Sequence, residues 1–379
     1  MKFIFSKIIS KIKTALAFPQ QQRLFLKHTV KTAVLEKEGR YAIVNMDRQF
    51  REDDYSRHLL ILCLHMQRAG FTPIVKMEWR DIKGINGYGF RKLLWREKFV
   101  FVRQCNTPLN TIVLKKPGTA DHVIRVPYGY KIAESVKIDC VAPFPMDPTQ
   151  TANHAQIAGQ LPAMKRTVKV FFSGKTTKKL YGKERLQIFF DMISRPEVIE
   201  FIVSHFPDHA RSLKTVPDTE ILKEIINSKD YHNEIILSEV KTDPKDWFKI
   251  LSKADFFLSA PGARMPWCHN TVEAMSVGTI PIIEYGNLYD PALEHMKNCI
   301  RYTSLKELED AIKMVLTMER AEIERLRKNV LEYYDKYLSL DIINKKINAF
   351  CDSSKTELVV AVPFIPTRAE AIAIPAHQL

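Results

Sequence analysis

The chain has no run of about 18 consecutive apolar residues, so an ordinary membrane-spanning helix is not expected. Its six cysteines (Cys63, Cys105, Cys140, Cys268, Cys299 and Cys351) are scattered and form no CxxC pair. That spacing offers neither a disulfide framework nor a zinc site, and the thiols are expected to be reduced in the cytosol. No D-x-D carboxylate pair occurs; Glu52-Asp53-Asp54 only approaches one, and no metal site is expected. The G-x-x-x-x-G-K-[ST] phosphate loop is absent, which leaves ATPase chemistry without support. Acidic residues are missing from the N-terminus, where none precedes Glu36.

What the chain has in excess is positive charge. Its 57 Lys and Arg against 43 Asp and Glu give a net charge of +14, which points to a polyanionic partner: nucleic acid, an anionic membrane face or a phosphate-bearing substrate. Basic residues alternate with aromatics over Phe90–Arg103, but no RRM, KH, zinc-finger or dsRBD signature is present, so a nucleic-acid-binding protein is an alternative and nucleic acid is not the expected partner. Residues 1–34 form a basic N-terminal segment. Within residues 1–18, Phe5, Ile8, Ile9, Ile12 and Leu16 fall at helical spacing opposite Lys7, Lys11 and Thr14. Lysines interrupt the apolar run too often for a secretory signal; the pattern suits an amphipathic helix lying on an anionic membrane surface, or one docked on the protein body.

At 379 residues the chain can hold two domains. Alternating strand-like and helix-like stretches predict an α/β fold in both. The first domain spans 35–145, with strands at Tyr41–Met46 and Phe71–Met77 and a helix over Tyr55–Ala69 ended by Gly70. Residues 146–166, rich in small polar residues, read as a linker. The second domain spans 167–338: a strand at Thr167–Ser173, a helix over Gly182–Ser194, strands at Ile235–Leu237, Phe256–Leu258, Ile280–Ile283 and Cys299–Tyr302, and helices over Leu305–Thr317 and Arg320–Tyr337. A last helix covers 339–352, and 353–379 reads as a flexible tail.

Candidate site residues gather where strands end. The strand over Val168–Phe172 runs into Gly174 and Lys175, with Lys178, Lys179, Lys183 and Arg185 beyond; glycine admits a phosphate to the backbone and the cations neutralise it, although a solvated lysine-rich turn has the same composition. The stretch Ala254–Tyr285 reads strand, turn at Pro261-Gly262, loop with Arg264, helix with His269, Asn270 and Glu273, break at Gly278, strand. His269, Asn270 and Glu273 share one helix face, and Arg264 can pair with phosphate oxygens. In the first domain, polar residues follow the strand Tyr41–Met46; Asp47 is a candidate general base with His58 behind it, and Asp53 or Asp54 a helix cap.

The string Glu273-Ala274-Met275-Ser276-Val277-Gly278-Thr279-Ile280-Pro281-Ile282-Ile283 resembles the E-A-x-x-x-G-x-x-P-V-I signature of GT-B glycosyltransferases, nearest to the exostosin-like branch and to bacterial surface-polysaccharide transferases. Cys268 and Asn270 stand where the exostosin pattern has Ser and Arg. The resemblance implies two Rossmann-like domains facing a cleft, with a C-terminal helix that crosses back to the first domain. It implies transfer of a sugar from a nucleotide-sugar donor to a surface polysaccharide or lipid-linked glycan at the inner face of the membrane. Glu273 would then contact the ribose and the loop cations the diphosphate, with no metal and no cofactor beyond the donor itself. A sugar-nucleotide epimerase of the same fold is the alternative enzyme.

Overall fold

The computed structural model describes residues 19–30, 38–52, 56–85, 88–129, 136–142, 144–157, 164–182, 185–263 and 265–363. The basic segment 1–18 and Arg264 lie outside the described residues. The chain divides into two compact units, one of residues up to 141 together with 343–363 and one of residues 142–342. Each is built on a largely parallel sheet, which is the α/β class expected from the alternation of elements.

In the first unit the strands are β1 (Thr29–Val30), β2 (Tyr41–Asn45), β3 (Thr72–Lys76), β4 (Val100–Val102), β5 (Thr111–Lys115), β6 (His122–Arg125), β7 (Tyr128–Gly129) and β8 (Cys140–Val141). The order is β1-β4-β3-β2-β5-β6-β15-β7, where β15 (Glu357–Pro363) comes from the far end of the chain and also pairs with β8. Strands β1 to β4 run parallel; β2 meets β5 antiparallel, with Ile43 opposite Val113. The helix Arg57–Arg68 covers this sheet with Leu59, Leu60, Cys63 and Met66, all buried. Its end is set by Gly70, whose φ of +85° is a conformation that costs glycine little and a branched residue much.

Two sequence expectations change here. Residues 353–379 were expected to be a flexible tail, yet Glu357–Pro363 forms a strand between β6 and β7, with Leu358 opposite Ile124. The run Val359-Val360-Ala361-Val362 is buried throughout, which is how a parallel strand covered on both faces reads. Likewise 146–166 is not a plain linker: Pro148–Ile157 is helical, and Asp147 accepts hydrogen bonds from the Thr149 amide (2.9 Å) and hydroxyl at its start. The helix Leu340–Asp352 brings Asn348 to Arg40 and Asp352 to Lys116 in the first unit's own body.

Among its described residues the second unit has six parallel strands: β9 (Val168–Ser173), β10 (Ala210–Leu213), β11 (His232–Ser238), β12 (Ala254–Ser259), β13 (Ile280–Ile283) and β14 (Ile300–Arg301), in the order β10-β11-β9-β12-β13-β14. The central pair β9 and β12 is buried and mostly apolar, with Phe256 opposite Val170 and Phe257 opposite Phe171. A long helix, Arg195–His205, and the helix Asp218–Asn227 flank β10; a single helix is expected over Gly182–Ser194, where the chain makes only the short helix Arg185–Phe190, with another, Lys178–Tyr181, before it. Pro196 near the start of Arg195–His205 suits a first helical turn, because its missing N–H has no intrahelical partner there. At the amino edge of the sheet, buried Arg166 donates to the carbonyls of Ala254 (2.9 Å) and Val277 (2.6 Å) and to the Thr279 hydroxyl (2.9 Å). Nearby, Asp255 on β12 pairs with Arg320 and Arg327 of the helix Arg320–Tyr333.

Candidate functional site

Strand β9 leads off toward β10, whereas β12 leads to β13 on the other side. The chain therefore parts above the carboxyl ends of two adjacent strands, and such a switch point is where open parallel sheets bind ligands. Three segments border it in the second unit: Ser173-Gly174-Lys175 after β9, Ala260-Pro261-Gly262 after β12, and Cys268-His269-Asn270 at the start of the helix His269–Met275.

Each expected site residue of this unit has a defined place except Arg264, which lies outside the described residues. The Gly174 amide donates to the Ser238 carbonyl at the end of β11 (3.0 Å), and a Cβ on Gly174 would stand 3.0 Å from the Arg195 guanidinium. Lys175 is exposed, its Nζ donating to the Glu239 carbonyl (3.0 Å), while the Glu239 carboxylate accepts from the amide and hydroxyl of Thr176. Lys179 is exposed on the short turn Lys178–Tyr181. Gly262 is required by the loop itself, since a Cβ there would meet the Met265 carbonyl at 2.5 Å. Asn270 donates from Nδ2 to the Ser173 carbonyl (2.9 Å) and so joins its helix to the end of β9.

Glu273, the expected ribose contact, is held by protein donors in this structure. It is fully buried. One carboxylate oxygen accepts from the Asp147 amide (2.8 Å) and from His269 Nδ1 (3.0 Å), the other from Trp247 Nε1 (2.6 Å). A carboxylate offers roughly four acceptor positions; three are taken and no face of the side chain is open to a ligand. Burial alone would raise this carboxyl; the His269 ring, the Asp147 amide and the Trp247 indole outweigh it and hold the group below the usual carboxylate range. The helical spacing that puts His269 and Glu273 on one face is observed, but Glu273 turns inward while His269 stays part exposed.

Sequence reasoning missed two further groups here. Arg195, only 4% exposed, donates from Nε to the Pro261 carbonyl (2.8 Å) and from its terminal nitrogens to the carbonyls of Lys175 (3.3 Å) and Ala260 (3.4 Å). Its one sequence signal is the Arg-Pro step that opens a helix. Glu284, next after β13, is buried and accepts the Ile193 amide on both oxygens (3.1 and 3.2 Å). Burial pushes its carboxyl up, the Ile193 amide pulls it back, and Asp191 and Glu197 add to the rise, leaving it at about 7.

In the first unit Asp47 follows β2, as expected, but its carboxylate is occupied. It accepts from the Phe50 amide (2.6 Å), capping the helix Arg48–Glu52, and also from Asn110 Nδ2 (3.3 Å) and the Tyr128 hydroxyl. Asp53 and Asp54, the caps expected for the next helix, lie outside the described residues. His58 is buried on the helix Arg57–Arg68, its ring 6.5 Å from that of Phe50. A general base needs an open lone pair facing its substrate, and in this structure the three donors leave Asp47 little of one.

Among the described residues no group of three or more His, Cys, Asp or Glu side chains is placed to hold a metal ion, and no helix is long and apolar enough to cross a membrane.

No family model matches the chain, and no curated protein does. Solved structures do resemble it. One is Anabaena Alr3699/HepE in complex with UDP and glucose, 13% identical over 82% of this chain and 99% of that one, with a TM-score of 0.42. A second is an alpha-glucosyltransferase in complex with UDP and a 13-mer DNA, 11% identical over 88% of this chain and 93% of that one, with a TM-score of 0.39. A third is the trehalose-6-phosphate synthase OtsA, 12% identical over 89% of this chain and 75% of that one, with a TM-score of 0.33.

Proposed function

We propose that the chain is a glycosyltransferase whose nucleotide-sugar donor binds at the switch point of the second unit. The observation that carries this reading is the joining of three loops around the carboxyl ends of β9 and β12, by Asn270 on one side and Arg195 on the other, with the cations Lys175 and Lys179 exposed beside them. Backbone that can approach a diphosphate, with cations to take up its charge, suits a donor whose leaving group is a nucleoside diphosphate. The E-A-x-x-x-G-x-x-P string at Glu273 supports the same assignment from the sequence side.

In the reaction the bond from the sugar's anomeric carbon to the diphosphate oxygen breaks, and a bond to an acceptor hydroxyl oxygen forms. The acceptor proton leaves to a base, and the diphosphate departs with the negative charge. The loops at Gly174 and Gly262 bring backbone to the diphosphate, while Lys175, Lys179 and Arg264 neutralise it, so that cations do the work for which other transferases use a metal ion. His269 and Asn270 flank the donor; Glu273 lies beneath them. Asp47, with His58, belongs to the acceptor side. We assign the acceptor to the class of surface polysaccharides and lipid-linked glycans, reached from the cytoplasmic face of a membrane on which residues 1–18 lie. The positive charge of the chain and the amphipathic spacing of Phe5, Ile8, Ile9, Ile12 and Leu16 support that placement.

The test is a thermal-shift and calorimetric panel of UDP, GDP, CDP and ADP with their common sugar conjugates, since a ligand that binds only the native state raises its apparent stability. Binding of one nucleotide class and release of that nucleoside diphosphate in the presence of glycan acceptors are the expected results. No binding across the panel removes the assignment, and conversion of the donor sugar without an acceptor favours the epimerase instead.

A further inference from the structure

We infer that Arg195 is the positioning residue of the donor site, holding the bordering loops in place without touching the ligand. The inference rests on the glycosyltransferase reading above. Arg195 begins the helix Arg195–His205 and is almost wholly buried. Its guanidinium divides its donors among the segments that flank the switch point. Lys175 after β9 receives one terminal nitrogen (3.3 Å), and Ala260 and Pro261 after β12 receive the other terminal nitrogen and Nε (3.4 and 2.8 Å). The second terminal nitrogen also stands 3.7 Å from Cys268 Sγ, the residue before His269 and Asn270. The planar head is seated against Tyr181, 4.1 Å from the ring centroid. One side chain thus fixes the backbone that presents Lys175, Gly262, His269 and Asn270.

Two features make this more than ordinary core bonding. First, Arg195 lies at the carboxyl end of the strands with no ion pair among the described residues; Arg166 shares that lack at the other end, whereas Asp255 in the same body compensates both Arg320 and Arg327. A buried cation normally has a carboxylate partner; here carbonyl dipoles and an aromatic face take its place, and its charge stays at the carboxyl end of the sheet, where the donor's diphosphate would sit. Second, the same body holds a built-in comparison. Arg166 is equally buried and also bonds backbone carbonyls, but at the opposite, amino end of the strands. A purely structural arginine and a site-positioning one can therefore be separated within one domain.

The experiment uses the full chain with UDP, GDP, CDP and ADP as probes, and inorganic pyrophosphate as the probe for the diphosphate alone. Affinity is measured by calorimetry and stability by urea unfolding for the wild type, Arg195→Lys, Tyr181→Leu and Arg166→Lys. Lysine keeps the charge but loses the planar fork that reaches three carbonyls. Arg195→Lys is expected to weaken the best-bound nucleotide and pyrophosphate by about tenfold or more, the scale set by small misplacements of binding groups. Tyr181→Leu, which keeps the arginine but removes its seat, moves affinity the same way and decides the matter if Arg195→Lys does not fold. Arg166→Lys is expected to lose stability and keep wild-type affinity. A folded Arg195→Lys or Tyr181→Leu with wild-type affinity overturns the inference, as does an Arg166→Lys that loses as much. A wild-type chain that binds none of the probes overturns the glycosyltransferase reading and this inference with it.

Discussion

Replacing Glu273 by Gln should destabilise the second unit before it does anything to a ligand. The wild-type carboxylate receives three N–H donors, from Asp147 (2.8 Å), His269 (3.0 Å) and Trp247 (2.6 Å). Glutamine has the same shape but only one acceptor oxygen. If that oxygen faces Asp147 and His269, the amide nitrogen meets the Trp247 indole N–H donor to donor; flipped, it meets two donors instead. At least one buried donor is left without an acceptor in either case. Hydrogen bonds to charged groups contribute about 1.5–3 kcal/mol each, and an unsatisfied buried donor adds its own cost, so the loss should be about 2–4 kcal/mol. For a body of this size that is a fall in Tm of roughly 5–15 °C. The pH dependence supplies an internal check. The folded carboxyl titrates below its unfolded value, so its contribution is full above the ordinary carboxylate range and is lost as pH falls through the folded value. Urea unfolding of wild type and Glu273→Gln at neutral pH should show the full gap, and the gap should close toward acid. Equal stability at neutral pH would refute the buried-hub account; intact stability together with lost nucleotide affinity would restore the ribose role.

Other outcomes follow from the same structure and sequence. Glu284 has a folded value of about 7 against the usual 4.5, so the native state holds its proton more tightly; the stability this contributes is complete below about pH 4.5 and is lost as pH rises through 7, to the extent of about 3 kcal/mol, and Glu284→Gln should flatten that slope in urea unfolding measured across the window. Arg264→Ala should lower turnover by about 10²–10³-fold with little change in Tm, because a loop cation acts on charge that grows in the transition state; normal turnover in a folded variant excludes the role. Deleting residues 1–18 should abolish co-sedimentation with anionic liposomes while the remaining chain stays folded, since Lys2, Lys7, Lys11 and Lys13 each contribute on the order of 1 kcal/mol near such a surface; unchanged lipid binding sinks the membrane placement.

How legible each part was depended on how local its physics is. The stretch Ala254–Ile283 was read nearly to the residue, because an apolar strand, a Pro-Gly turn, a helix face and a second apolar strand follow one another with no long-range help. The helix Leu305–Thr317 was equally plain, and its start is local too: the Ser304 hydroxyl accepts from the Glu307 amide, and the Glu307 carboxylate accepts from the Thr303 amide. By contrast β10 carries two exposed polar residues at a sheet edge, and nothing in Ala-Arg-Ser-Leu distinguishes it from loop. The strand β15 had an apolar run that should have been read as a strand; the proline- and alanine-rich residues after it pulled the whole stretch into a tail.

The place of Glu273 on its helix was legible in the sequence; the direction in which its side chain points was not. Periodicity placed Glu273 one turn from His269, but periodicity is a statement about one helix, and which side of that helix is inside depends on what packs against it. Here Trp247 arrives from a preceding helix and Asp147 from a segment more than a hundred residues earlier, and together they close over the carboxylate. Asp47 repeats the pattern, since the Phe50 amide makes it a helix cap while Asn110 and Tyr128, far along the chain, occupy the rest of its carboxylate. Arg195 is the converse case: an arginine at a helix start reads as surface, and only the meeting of two loops makes it the residue that both of them are bonded to. A sequence lists which groups can act as acids, bases and cations; the donors and carbonyls that long-range packing sets around them decide which remain free to do so.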